Sequence, residues 1–74
     1  MDKEVKNKIE YMIACISEFA DRYGLSSRQA FSYLYFYKGI AFLDNSYEAE
    51  HQFSIEDAVD DVTDYCKRQG GALA

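Results

Sequence analysis

Proline is absent from this chain, and its four glycines fall at the ends of apolar runs, so no helical stretch is broken from within. That pattern favours helices joined by short turns. Cysteine is scarce: Cys15 and Cys66 lie far apart and form no C-x-x-C pair. They read as reduced thiols, small hydrophobes on or beside the inner faces of their helices. The only histidine, His51, follows Glu48 and Glu50 with no second histidine or nearby cysteine to complete a metal or acid–base site. It reads as a connector residue with a local hydrogen bond. Gly-rich phosphate loops, nucleophile elbows and Cys/His arrangements are missing. No enzyme activity, metal or cofactor is expected.

No run of about twenty apolar residues exists to span a membrane. The opening segment, Met-Asp-Lys-Glu-Val-Lys-Asn-Lys, is charged and leads into an amphipathic stretch, so a secretory signal is not expected and the cytoplasm is the expected compartment. Basic residues are also in the minority, with 8 Lys and Arg against 13 Asp and Glu. Through Tyr37 the balance is five against five; from Lys38 onward it is three against eight, so the whole net charge of -5 lies in the second half. Such a chain repels nucleic acid and anionic membrane, and its natural partner is a protein with a basic surface.

Aromatic residues are abundant. Seven Tyr and five Phe, in a chain that is 49% hydrophobic, give residues 1–74 enough apolar mass for one globular domain with an aromatic-rich core. A first helix should run from Asp2 or Lys3 to Tyr23, with Val5, Ile9, Met12, Ile13, Ile16, Ala20 and Tyr23 facing inward. Gly24 is placed to end it in the left-handed region, and Leu25 to pack back. Ser26 or Ser27 should cap a second helix reaching Tyr37 or Lys38 before Gly39. The segment Ala30-Phe-Ser-Tyr-Leu-Tyr-Phe-Tyr37 has strand-like propensity, but the chain offers no second strand to pair with it. As a helix it points Phe31, Tyr33, Tyr35, Phe36 and Tyr37 around most of its circumference. Those rings are either core or interface, and more than three short helices can cover, so they are candidate interaction residues and a homodimer is expected through this helix.

A short third helix should run from Ile40 to about Glu48, with Ile40, Leu43 and Tyr47 inward and Phe42 beside them. Residues 50–53 then form a connector, with Phe53 as a hydrophobic staple before the Ser54 cap. The fourth helix should end near Gln69. Its stripe is Ile55, Ala58, Val59, Val62, Tyr65 and Cys66, and Asp57 is placed to return a bond to the cap. Glu56, Asp57, Asp60, Asp61 and Asp64 fill the rest. This acidic face is either a solvated surface or the second candidate interaction site. It lacks the Glu-x-x-His pairs of a helical metal centre and the ligand alternation of a calcium loop. Lys67 and Arg68 favour the helix end, and Gly70-Gly71 stops it.

The run Tyr47-Glu-Ala-Glu-His51, then Ser54-Ile-Glu-Asp-Ala-Val-Asp-Asp, preceded by Gly39-Ile-Ala-Phe-Leu, resembles a family of small bacterial domains of unknown function. The resemblance covers nearly the whole chain. It implies an all-helical cytoplasmic protein, sometimes encoded beside ADP-ribosyltransferase-like toxin genes. It transfers no catalytic residue, and it makes His51 and Ser54 structural positions.

The expected architecture is all-α: a compact bundle of four helices, the third short. The expected function is a non-catalytic protein-interaction module, antitoxin-like or an adaptor subunit. A helix-turn-helix nucleic-acid-binding protein is the alternative. Its recognition segment, Ile40-Ala-Phe-Leu-Asp-Asn-Ser-Tyr-Glu, has no Lys or Arg, which counts against it.

Overall fold

A computed structural model describes residues 3–71, and all secondary structure among them is helical. The helices are α1 (Lys3–Tyr23), α2 (Ser27–Phe36), α3 (Gly39–Asn45), α4 (Tyr47–Glu50) and α5 (Ile55–Arg68). None is long and apolar enough to cross a membrane. α1 packs on α2 and α5, while α3 packs on α2 and α5 and touches α1; α4 sits on α3. The longest dimension, 38 Å, is little more than α1 alone, whose 21 residues span about 31 Å.

The described residues thus form five helices where four were expected. Asp44, Asn45 and Ser46 are consecutive residues whose short polar side chains compete for backbone hydrogen bonds and weaken a helix. The expected third helix bends there, at Ser46 (φ -98°, ψ 3°), and resumes as the single turn of α4.

The helix ends follow from their caps. α1 stops at Gly24 (φ +65°), and Leu25 N–H donates back to the Ala20 carbonyl at 2.8 Å, closing a Schellman turn. Ser26 caps α2 through a complete capping box with Gln29. Ser54 caps α5 by accepting from Asp57 N–H, but Asp57 does not return the bond, its carboxylate being one methylene shorter than the Glu that usually does. The Phe53 staple does not form either: that ring is 59% exposed. α5 ends at Gly70 (φ +94°), and Gly71 N–H donates to the Cys66 carbonyl at 2.9 Å.

The buried centre is less aromatic than expected. Phe19 is its only ring among the described residues; Leu34, Leu43, Val59, Val62, Cys15, Cys66 and three alanines make up the rest. Tyr11, Tyr23, Tyr33, Tyr37 and Phe42 form a partly buried shell around it. α1 is also rolled from its expected orientation. Met12, Ile16, Ala20 and Tyr23 pack inward as expected, but Val5, Ile9 and Ile13 are 46%, 43% and 58% exposed. α1 carries apolar residues round most of its circumference and can bury only one side. The side with Tyr11, Cys15 and Phe19, spaced four apart, wins.

The α2–α3 corner packs closely on α5. Lys38, not Gly39, adopts the left-handed conformation (φ 65°). Gly39 is required for space: a Cβ there would lie 2.7 Å from Cys66 Sγ and 2.9 Å from Leu34 Cδ2. Gly39→Ala should therefore destabilise the fold by about 1–3 kcal/mol, the usual cost of overpacking. For a chain this short that lowers the melting temperature by roughly 4–8 °C per kcal/mol, and an unchanged melt by circular dichroism would refute the close approach.

Candidate interaction surfaces

The capping box fixes where α2 begins, with Ser26 Oγ accepting from Gln29 N–H at 3.1 Å and Gln29 Oε1 accepting from Ser26 N–H at 2.9 Å. Helical spacing then divides the five candidate rings. Tyr33 and Tyr37, four residues apart, lie inward with centroids 4.8 Å apart, and Tyr33 stacks on Phe19 at 5.4 Å. Phe31 and Tyr35, also four apart, stack at 6.1 Å on the outer side. They are 47% and 70% exposed, and Phe36, edge-on to Tyr37, is 75% exposed. Two of the five rings are therefore core shell, and three are surface.

The outer rings do not stand alone. Val5, Ile9 and Ile13 recur every four residues along α1 and form an exposed stripe. Its far end meets α2 in a groove of about 390 Å³ lined by Ile13, Ile16, Ser17, Ser27, Arg28 and Phe31. This continuation onto α1 was missed in the sequence, where the stripe is indistinguishable from core spacing.

All five carboxylates of the second candidate, Glu56, Asp57, Asp60, Asp61 and Asp64, are exposed on α5. They are not equally free. Arg22 of α1 pairs with Asp60 and donates to the Glu56 carbonyl at 3.3 Å, an exposed contact that contributes less than about 1 kcal/mol. Asp61 and Asp57 both act on Glu50 at the end of α4. Burial first, then Asp61, then Asp57, raises the Glu50 carboxyl above the usual carboxylate range. One Glu50 oxygen, Oε2, is buried with no hydrogen-bond partner among the described residues. No hydrogen bond or ring contact joins the outer rings to these carboxylates among the described residues, so the two surfaces are separate.

Near the start of α1, a wide cleft of about 860 Å³ opens toward α3 and α4, with Lys8 paired to Asp44 across it. His51 lies on its edge. Its Nδ1–H donates to the Tyr47 carbonyl at 2.7 Å and its ring stacks on Tyr47 at 4.7 Å, so its position is local and structural. Among the described residues no group of three or more His, Cys, Asp or Glu is placed to hold a metal ion. Cys15 and Cys66 are free and buried, and burial pushes both thiols up to about 11.

The two thiols should accordingly react slowly with an alkylating reagent until denaturant is added, because the thiolate is the reactive form. Rapid labelling of the native protein would contradict this. Glu50 gives a pH signature. Its folded-state value lies above its unfolded one, so the fold favours the protonated carboxyl, and stability falls as pH rises from the ordinary carboxylate value through the raised one. Glu50→Gln should raise the melting temperature at neutral pH, and the gain should vanish below the ordinary carboxylate value. A gain that persists in acid, or a loss at neutral pH, would refute the assignment.

No curated protein and no solved structure matches the chain at a significant level. A family described as protein of unknown function (DUF3791) does match, over residues 10–69. That span runs from within α1 past the end of α5, and the chain belongs to the DUF3791 family.

Proposed function

We propose that this protein is a non-catalytic interaction module, an adaptor or antitoxin-like subunit that acts by covering and being covered by another protein. One observation carries the reading. Val5, Ile9, Ile13, Phe31, Tyr35 and Phe36 are each at least 43% exposed, and among them Ile13 and Phe31 line one groove while Tyr35 stacks on Phe31. An exposed apolar patch that joins two helices in this way marks an interaction site. Tyrosine suits such a site, its ring buried in the contact and its hydroxyl still wet. The acidic face of α5 adds a second surface, suited to a partner with basic charge, where charge complementarity speeds association and sets specificity.

The chemistry supports a non-catalytic role. Both thiols are buried, and the one histidine is committed to a backbone carbonyl. A helix-turn-helix reading has little support. Residues 39–50 carry no Lys or Arg, and α3 uses Gly39 and Leu43 for packing. We place the module in the bacterial cytoplasm on its reduced thiols and on the family resemblance, which is also what suggests an antitoxin-like role.

Affinity capture from a native bacterial lysate tests the reading. A partner held by the outer face should be retained by the wild type and by a Glu56→Lys/Asp64→Lys double variant and lost with Phe31→Ser/Tyr35→Glu, whereas a basic partner held by the acidic face should be lost with the double variant alone. Equal capture by all three would remove the outer face as the site. In a low-salt polarisation titration, DNA should not bind; micromolar, salt-sensitive binding would overturn the reading in favour of nucleic acid.

A further inference from the structure

We infer that the outer face of α1 and α2 is closed in solution by a second copy of this chain, related by a two-fold axis. In that arrangement the projecting Tyr35 and Phe36 of each copy lie against the Ile13–Phe31 groove of the other. The inference rests on the interaction-module reading and names its partner.

Charge is the first ground. The chain through Tyr37, which supplies both α1 and α2, carries five Asp and Glu against five Lys and Arg. The remainder, which supplies α5, carries eight against three. Two copies of a molecule with net charge -5 can meet through the balanced half without opposing a net charge of one sign. Meeting through α5 would set Glu56, Asp57, Asp60, Asp61 and Asp64 against their own copies, a contact disfavoured by repulsion.

Shape is the second. A two-fold contact uses the same patch twice, so the patch must be complementary to itself. This one holds both halves of the match. Tyr35, 70% exposed and stacked on Phe31, projects beside an apolar groove of about 390 Å³ that Phe31 lines, and Phe36, 75% exposed, projects from the next position. The polar rim of that groove, Ser17, Ser27 and Arg28, offers partners to an incoming tyrosine hydroxyl.

Size is the third. At about 10 Å across each, α1 with 21 residues (about 31 Å) and α2 with 10 (about 15 Å) give a face of roughly 450 Å². Doubled, this is about 900 Å², the size of a weak, concentration-dependent contact, which is why the dimer is sought at tens of micromolar.

Light scattering at tens of micromolar decides the matter, with circular dichroism as the folding control. The wild type should show twice the 8.5 kDa chain mass, at low and at high salt. Ile9→Glu and Tyr35→Glu, both at exposed positions, should each shift it to the single-chain mass with unchanged helicity. Glu56→Lys/Asp64→Lys should leave the dimer intact. A wild-type monomer would overturn the second copy as occupant; the interaction-module reading would then still stand if a foreign partner is captured in a Tyr35-dependent way, and would fall with it if none is. A dimer that survives both Ile9→Glu and Tyr35→Glu would also overturn the inference, by placing the contact elsewhere.

Discussion

The exposed face depends on one close approach, that of the α2–α3 corner to α5. Only the absence of a side chain at Gly39 lets the corner come within a Cβ's reach of Cys66 and Leu34. Lys38 takes up the left-handed turn beside it, at the modest cost a non-glycine residue bears there. A second glycine holds the other side of α2: a Cβ on Gly71 would lie 2.5 Å from Tyr33 Oη. With both contacts made, α2 cannot roll. Tyr33 is pressed onto Phe19, and by helical spacing Phe31, Tyr35 and Phe36 must then face outward.

This geometry follows from the economics of a small core. A chain of 74 residues buries a limited share of its surface, and the fully buried centre is built of one phenylalanine with aliphatic and small side chains. The partly buried tyrosines close the shell around it. Some of this shell is imperfect, since Tyr11 Oη, Tyr33 Oη and Glu50 Oε2 are buried with no hydrogen-bond partner among the described residues, each a destabilising feature in a marginal fold. A domain so constituted gains from covering its outer rings, because each ring removed from water contributes roughly 1.5–3 kcal/mol before the costs of association. The acidic α5 face has the opposite character, solvated and like-charged, and serves solubility whether or not a partner reads it.

The local signals in the sequence were legible where a cap residue and helical periodicity coincide. Lys3–Tyr23 with its Gly24 stop, the Ser26 and Ser54 caps, and the stripe and acidic face of α5 all follow from short-range chemistry. What escaped was set by tertiary contacts. Val5, Ile9 and Ile13 keep core spacing, and nothing local tells which side of an all-round apolar helix will be buried. Phe19 sits four residues from Cys15 on the side that wins, yet the competing stripe hid it. Gly39 reads as a helix stop because glycines usually are, whereas its role is steric and depends on Cys66, 27 residues away. The bend at Ser46 was within reach, since Asp44, Asn45 and Ser46 are consecutive weak helix formers. Of the candidate rings, the sequence supplied the set but not its division into Tyr33 and Tyr37 inside and Phe31, Tyr35 and Phe36 outside.

The central claim is that protein covers the outer face of α1 and α2, and hydroxyl-radical footprinting across a concentration series tests it most directly. Phe53 is an internal reference, since it is 59% exposed in the connector before α5, away from that face, while Tyr35 is 70% exposed on it. In dilute solution both rings should oxidise readily. As concentration rises, Tyr35 and Phe36 should become protected while Phe53 does not. Parallel oxidation of Tyr35 and Phe53 at every concentration would contradict the account.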